Sequence, residues 1–429
     1  MDYSDKRLLI ISNNVLSYTQ DNGKTILSFF DSVPKECVRQ LYFSGENPGV
    51  SGYKYFQISD NDIIKGVFSR KRRGRAYDEV NSDVEVSSFA HNQARKKTAL
   101  MRLIRECLWY KKWISDQLIN WLDEYKPTAI FFVAGDSLFA YQITEFIRNR
   151  YKSSLSVFIT DDYVMPRTNE SFLSRYRRKK VLESMKKCVT DADQFFTVSE
   201  PMRQAYLKLF NKDSHKIVNM TESMKLNGND ESKENDKITL IYAGGLYYGR
   251  EDVLGSIGKV ISQYNSAGPS KKAFLKIYTN QTPDQALLDK INIPDASSFC
   301  GSLDRSQLAV ELNNSDILVF VESSDPLQKE KTRFSLSTKV TEYLSLGKPI
   351  FAVGPSDIGS MDYLFDVAEC VFDESEIEDV LKRLLENTER QNQLGILAKQ
   401  KYEKYHNKEA IQNQLLSLVF QEGDKQDNG

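Results

Sequence analysis

The 429-residue sequence predicts an α/β protein of two doubly wound domains, each a parallel sheet with helices on both faces. Three observations predict it. Short apolar runs alternate with helical patterns along almost the whole chain. Those runs are apolar at successive positions, as in strands buried on both faces. A polar, charged stretch at 225–237, nearly free of large apolar groups, separates two such series.

The first series of strands is expected at Leu8–Ile11, Leu41–Phe43, Ala129–Val133, Leu155–Ile159 and Phe195–Val198. Within it, Leu100, Leu103, Ile104, Cys107, Leu108, Ile114, Leu118 and Trp121 recur at helical spacing and predict one helix ending before Pro127. All three tryptophans, Trp109, Trp113 and Trp121, fall in it and read as packing groups rather than a sugar platform. The second series is expected at Ile238–Ala243, Phe274–Tyr278, Ile317–Val321 and Ile350–Val353. The expected organisation is a first domain at 1–224, a linker at 225–237 and a second domain at 238–405. A last helix and frayed tail at 406–429 are placed back against the first domain.

Composition narrows the function. The chain has 58 basic and 59 acidic residues, a net charge of −1, so no global field holds nucleic acid. Its 22 tyrosines and 23 phenylalanines supply sizeable cores. Five scattered cysteines without a CxxC pair, and three histidines, argue against a zinc site or disulfide framework; buried free cysteines in a reducing compartment fit instead. The apolar stretch Leu8–Ile11 is too short for a signal peptide, and no run approaches the roughly 18 apolar residues of a membrane span. The expected location is the cytoplasm. Basic runs at 69–75, 95–97 and 175–180 read as solvated faces or as contacts to anionic lipid or an acidic acceptor, which would put the chain on the inner face of a membrane.

The densest chemical signal lies at 335–350. Ser337 and Thr338 are good caps for a helix running to Leu346, Gly347 ends it, and Lys348-Pro349 leads into the next strand. A helix start after the strand Ile317–Val321 is where an open α/β sheet binds an anion. Amides near Ser337–Lys339 and the Lys339 ammonium suit a diphosphate, and Glu342, a turn further in, suits ribose hydroxyls. A second piece, Tyr242–Arg250, runs from a strand through Gly244-Gly245 into a helix. The glycines admit a bulky ligand to the backbone, and Arg250 can clamp phosphate with two parallel bonds.

These stretches resemble the C-terminal domain of the GT-B glycosyltransferases, above all family 4 (group 1) of bacterial polysaccharide biosynthesis. The resemblance rests on five pieces in order: Thr197–Met202, Tyr242–Arg250, Phe299–Leu303, Ser315–Val319 and Ser337–Pro349. It implies two Rossmann-like domains facing a central cleft. The implied activity moves a sugar from a nucleoside-diphosphate sugar, UDP or GDP, to a glycan or lipid-linked glycan, with retention and without a metal or other cofactor. Gly244, Gly245, Arg250, Ser337, Thr338, Lys339 and Glu342 would hold the donor. The sequence departs from the family at two places. Of the two glutamates that the family often separates by seven residues, Glu342 matches the second, but Phe334 takes the first position. Gly245 stands where the first of two basic residues is usual, so Lys339 is expected to supply the missing charge.

In the first half the resemblance is one of pattern. Asn13 at the end of the first strand, Gly23 at the start of the next helix, and Gly135-Asp136 after a third strand would line the acceptor side. Asp161 or Asp162, after another strand, would orient an acceptor hydroxyl or act as base; capping and loop solvation are the plain alternatives. Gly23-Lys24-Thr25 is not a P-loop, because Tyr18 takes the position of the required glycine. Asp191-Ala192-Asp193 is read as a chance DxD string, with no metal. Two other readings stay open: a nucleotide-sugar epimerase or hydrolase on the same architecture, and a non-catalytic nucleotide-sugar binding protein.

Overall fold

The structure is a computed structural model that describes residues 2–18, 21–65, 73–78, 98–218, 220, 224 and 237–421. The basic residues at 69–72 and 95–97, His91, the linker at 225–236 and the tail at 422–429 lie outside the described residues. The chain divides into two compact units, Met1–Ile217 with Glu409–Gly429, and Val218–Lys408.

The first unit has strands β1 (Leu8–Ser12), β2 (Val38–Tyr42), β3 (Lys54–Gln57), β4 (Arg75–Tyr77), β5 (Ala129–Ala134), β6 (Ser154–Ile159), β7 (Gln194–Thr197) and β8 (His215–Lys216). Its helices are α1 (Asp21–Phe30), α2 (Asp60–Lys65), α3 (Ala99–Trp109), α4 (Asp116–Tyr125), α5 (Leu138–Tyr151), α6 (Phe172–Asp191) and α7 (Glu200–Phe210). The sheet order is β4-β3-β2-β1-β5-β6-β7-β8, parallel except for the β3–β4 pair. The chain therefore reverses its direction of winding between β1 and β5, and the crevice beyond their carboxyl ends is where such a sheet binds ligands. β1 and β5 are buried at every position. Phe29, Phe30, Phe131 and Phe158 meet edge to face or tilted at 4.9–6.4 Å between ring centres, which locks α1 onto the sheet.

The second unit has β9 (Lys237–Ala243), β10 (Lys272–Tyr278), β11 (Ser297–Gly301), β12 (Ile317–Val321), β13 (Ile350–Val353) and β14 (Glu369–Val371). Its helices are α8 (Arg250–Ser266), α9 (Gln285–Ile291), α10 (Arg305–Asn314), α11 (Pro326–Thr332), α12 (Thr338–Leu346), α13 (Gly359–Leu364), α14 (Ile377–Glu386) and α15 (Thr388–Tyr405). All pairings in the order β11-β10-β9-β12-β13-β14 are parallel, with the reversal between β9 and β12. Val253, Leu254, Ile257 and Ile261 of α8 join Leu240, Leu275, Val319 and Phe351 of the strands in one apolar core. The last helix, α16 (Lys408–Val419), belongs to the first unit beyond its first residue; Gln412 donates to the Ser28 carbonyl and the Asp31 carboxylate, each at 2.6 Å.

The structure corrects several expectations. The long helix expected from Leu100 to Trp121 is two helices. Lys111 takes a left-handed conformation (φ 52°), and the Ser115 hydroxyl accepts from Leu118 N to start α4 afresh. The apolar face expected to be buried is largely outside on α3, where Leu100 and Ile104 are about half exposed. The three tryptophans are buried within the first unit, Trp109 stacked on Phe139 at 3.7 Å. The short strands β3, β4, β8, β11 and β14 carry Lys, Gln, Arg, His, Ser or Glu, so continuous apolarity does not reveal them. All five cysteines are free, but none is fully buried as expected: Cys107 and Cys300 are exposed and Cys37, Cys188 and Cys370 half-buried. No helix among the described residues is long and apolar enough to cross a membrane.

Candidate functional site

Each unit has a cavity at its reversal point. In the second unit, β9 ends at Ala243 and passes into Gly244-Gly245, while β12 ends at Val321 and passes into Glu322. Between them lies a cavity of about 110 Å³ lined by Gly245, Arg250, Glu322, Ser337, Lys339 and Tyr343 among others. A second, of about 290 Å³, shares Ala243, Gly245 and Lys339 and runs past Gly244 to Thr279, Asn280, Gln281 and Leu303.

Local sequence explains the geometry. Tyr248 (φ 69°) and Gly249 (φ 85°) both take left-handed backbone, which turns the chain so that α8 opens with Arg250. Gln281 Oε1 accepts from Leu246 N at 2.7 Å, and Tyr242 donates to the Gly245 carbonyl at 2.5 Å, so the glycine turn is held from two sides. A methyl group at Gly244 would lie 2.7 Å from the Tyr242 hydroxyl and 3.1 Å from Lys339 Nζ. At Gly245 it would meet only Gln281, at 3.7 Å.

Ser337 caps α12 with no side-chain hydrogen bond, so the first amides of the helix are not covered by its hydroxyl. Lys339, in the first turn, makes no hydrogen bond or ion pair among the described residues. Burial pushes its ammonium below the usual lysine range, and the charge on Arg250 pushes further; Glu322 and Glu342 oppose this. Arg250 spends two donors on the protein: Nε to the Val321 carbonyl at 3.2 Å and Nη2 to the buried Glu322 carboxylate at 3.1 Å. Two cations against one carboxylate leave the smaller cavity with an excess positive charge at the start of a helix, an arrangement that attracts an anion.

The first unit holds a larger cavity, about 590 Å³, beyond Ser12 of β1 and Ala134 of β5. Asn13, Asn14, Asn22, Ser44, Ser137, Thr160 and Tyr163 line it together with charged groups. Asp136 accepts from Arg102 of α3 and, at 3.1 Å, from Arg177 of α6. Arg105 pairs with Asp60 at 2.6 Å. Glu106 accepts from the Leu138 and Phe139 amides at 3.1 and 3.2 Å, so the protein's own carboxylate occupies the start of α5. Burial raises the Glu106 carboxyl above the usual range, although those two bonds and Arg177 and Arg105 pull it down. Three arginines and three carboxylates balance, and amides and hydroxyls share the rest of the wall with Ile26, Phe43, Val133 and Ala140, a mixed lining that suits a polyhydroxyl ligand.

Most of the residues singled out in the sequence fall around these cavities. Gly245, Arg250, Ser337 and Lys339 line the smaller one of the second unit and Gly244 the larger. Thr338 is exposed and outside both. Glu342 also lies outside, with Arg305 Nη2 3.8 Å from its carboxylate. In the first unit Asn13, Gly135 and Asp136 line the cavity, and the position where a side chain would start on Gly135 is open. Gly23 does not line it. A methyl group there would lie 2.2 Å from the Val15 carbonyl, so this glycine serves the close packing of α1 on the preceding loop. Asp162 is buried and accepts from the Val164 and Met165 amides, and Asp161 accepts from Thr160 and Tyr163; neither reaches the cavity wall. Asp193 of the DxD string accepts from Leu155 N at 2.7 Å and fixes β6. Among the described residues no group of three or more His, Cys, Asp or Glu side chains is arranged to hold a metal ion.

No family model matches the chain, and no curated protein matches it in sequence. Solved structures do match in fold. Anabaena HepE in complex with UDP aligns with a TM-score of 0.61 at 10% identity, over 96% of this chain and 98% of that one. An E. coli trehalose-6-phosphate structure bound with UDP-2-fluoro glucose aligns at 0.63 and 13%, over 97% and 100%. A UDP-forming α,α-trehalose-phosphate synthase from Burkholderia vietnamiensis aligns at 0.57 and 11%, over 96% and 99%. The chain has the GT-B fold. The GT-B likeness extends over nearly the full length of both partners, which local motifs alone do not require.

Sequence reasoning missed several residues of these GT-B cavities. Glu322 is one; its signal is an acid placed directly after five consecutive apolar residues, at the carboxyl end of a central strand. Arg102, Arg105 and Glu106 are others. Spaced by three and four along α3, they form a charged stripe that a search for an apolar face overlooks. Arg177 belongs to a basic run expected to be solvated or to meet an anionic lipid or acidic acceptor, yet it is buried.

Proposed function

We propose that the chain is a glycosyltransferase that carries a sugar from a nucleoside-diphosphate sugar to a hydroxyl of a glycan or lipid-linked glycan. The observation that carries this reading is Lys339: a half-buried ammonium with no hydrogen bond or ion pair among the described residues, in the first turn of α12, beside Arg250, in a cavity at the reversal point of the second sheet. In this assignment the diphosphate sits against the α12 amides, Lys339 and Arg250. The nucleoside lies in the adjoining 290 Å³ cavity against Asn280, Gln281 and Leu303. UDP is the first candidate, since HepE was solved with UDP and the E. coli structure with UDP-2-fluoro glucose.

In the reaction the acceptor oxygen bonds to the anomeric carbon and the bond from that carbon to the diphosphate oxygen breaks. The hydroxyl proton leaves to a base or to the departing phosphate. Negative charge grows on the diphosphate, where fixed amides and cations stabilise it most. The acceptor is assigned to the 590 Å³ cavity of the first unit. There Asp136, rather than Asp161 or Asp162, is the carboxylate placed to orient a hydroxyl. Retention, kinship with family 4, a role in cell-surface polysaccharide synthesis and a place on the inner face of a membrane belong to the same proposal. They are supported by the five motif pieces between Thr197 and Pro349 and by the basic residues of α6.

The test is a melting screen with UDP, GDP and TDP on the native chain and on Lys339→Ala, followed by donor turnover with and without acceptors. A nucleotide-dependent rise in Tm that Lys339→Ala loses, with sugar transferred only when acceptor is present, supports the reading. A native chain that no nucleotide stabilises sinks it, and donor consumption without acceptor makes the protein a hydrolase or epimerase.

A further inference from the structure

Helix α3 is amphipathic in the reverse sense. Arg102, Arg105 and Glu106 turn inward and line the cavity, with Trp109 buried beyond them. Leu100 (55% exposed), Met101 (54%) and Ile104 (51%) face solvent. The helix cannot roll to bury them without breaking three anchors: Glu106 to the α5 amides, Arg102 to Asp136, and Arg105 to Asp60. Next to it packs α6, tied to α3 through Arg177, which lies 3.6 Å from Glu106. The outer side of α6 opens with Phe172 (80% exposed), Leu173 and Tyr176, and carries exposed Arg175, Lys179 and Lys180. From Phe172 to Leu182 that helix has no acidic residue; Glu183 ends the run and pairs with Lys180 at 3.0 Å.

Six large apolar side chains held in water on two adjoining helices are unfavourable unless something covers them. The cationic residues among them decide what does. An apolar surface interleaved with lysine and arginine matches the boundary of an anionic bilayer, where apolar groups enter the acyl edge and ammonium groups meet phosphates. We propose that the outer face of α3 and the amino-terminal half of α6 dock on an anionic lipid membrane, with Leu100, Met101, Ile104 and Phe172 inserted and Arg175, Lys179 and Lys180 on the headgroups. The docking surface deepens the membrane placement proposed above, but it is read from exposure and charge and needs no transferase activity. Its consequence for the acceptor rests on that reading: the wall of the acceptor cavity is the inner side of the inserted helix, so a lipid-linked acceptor would be taken up about one helix diameter, ~10 Å, from its own membrane.

The experiment is flotation of the full chain with phosphatidylcholine vesicles, with and without phosphatidylglycerol. Two variants are compared with the native chain: Ile104→Ser with Phe172→Ser, and Arg175→Glu with Lys179→Glu. The native chain is expected to float with anionic vesicles only and to be released by salt, and both variants to bind at least about tenfold more weakly. Equal binding to neutral and anionic vesicles, no binding of the native chain, or unchanged binding of both variants would overturn the proposal. So would a concentration-dependent dimer that Phe172→Ser abolishes in a native chain that ignores vesicles, since the face would then belong to a second copy. The UDP-dependent shift in Tm, measured on the same proteins, reads the second unit. Its absence from the native chain removes the transferase reading and leaves the docking result standing; its persistence in variants that no longer float shows that only docking was lost.

Discussion

Arg250 Nη2 lies 3.1 Å from the Glu322 carboxylate, and that carboxylate is almost fully buried. The pair sets the charge of the cavity in the second unit. Glu322 holds Arg250 at the cavity wall and offsets one of two neighbouring cations, so the fold tolerates both. Removing one partner of such a pair strands the other. Arg250→Ala is expected to lower unfolding free energy by about 3 kcal/mol, and Arg250→Ala with Glu322→Ala by clearly less than the sum of the single changes. Denaturant unfolding of the four proteins gives the coupling. Additive effects would mean that the pair is not formed in solution.

Lys339 is expected to do the opposite for stability and for binding. Lys339→Met removes an ammonium that burial already disfavours, so the empty protein should be as stable or more stable, while UDP affinity falls about tenfold or more. The pH dependence follows from the lowered pKa. Between that lowered value and the ordinary lysine value the unfolded chain binds the proton and the folded chain does not, so stability rises with pH across this window. Melting curves of native and Lys339→Met protein should therefore converge as pH rises toward the ordinary lysine value. A variant that melts lower at neutral pH and still binds UDP normally would assign Lys339 to structure alone.

The two glycines after β9 separate packing from ligand approach. Gly244→Ala puts a methyl group 2.7 Å from the Tyr242 hydroxyl, which is already committed to the Gly245 carbonyl, and 3.1 Å from Lys339 Nζ. Gly245→Ala meets only ordinary contact with Gln281. Gly244→Ala is expected to cost about 1–3 kcal/mol and to weaken UDP binding, and Gly245→Ala to fold normally. If Gly245→Ala alone blocks UDP, the ligand approaches the backbone at Gly245 rather than at Gly244.

What the sequence makes legible follows from which physical signals are local. Continuous apolarity marks the central strands β1, β5 and β12 and the carboxyl-terminal half of β9, since burial on both faces leaves almost no polar position there. The Gly244-Gly245 turn and the Ser337 cap are local as well, and both lie at the cavity that the second sheet builds. Gln281 and Arg177 carry no local mark; their roles arise from partners 35 and 41 residues away, and the acid after β12 announces Glu322 but not its partner Arg250, 72 residues away. Apolar periodicity misled at α3 because its apolar stripe faces out, a choice fixed by Asp60, Asp136 and the α5 amides rather than by the helix itself. Asp161 and Asp162 follow a strand, as a catalytic acid would, but short-range bonds to Thr160, Tyr163, Val164 and Met165 take up both carboxylates.

Glu106 gives a prediction for the cavity of the first unit that needs no substrate. Burial raises its carboxyl above the ordinary glutamate range, while the Leu138 and Phe139 amides, Arg177 and Arg105 favour the ionised form without fully compensating. Since the folded pKa is the higher one, the folded chain holds a proton that the unfolded chain has released between the ordinary value and the raised one. The contribution of Glu106 to stability is therefore full below the ordinary value and is lost as pH rises through the folded pKa. Glu106→Gln removes the titration and keeps one acceptor oxygen, while the second of the two α5 amides loses its partner. Its stability at neutral pH is expected to be lower than native by about 1–3 kcal/mol for the amide left unpaired, and its pH profile should lack the fall that native protein shows as pH rises above the ordinary glutamate range. Parallel pH profiles for the two proteins would place Glu106 in solvent, and with it the inward face of α3.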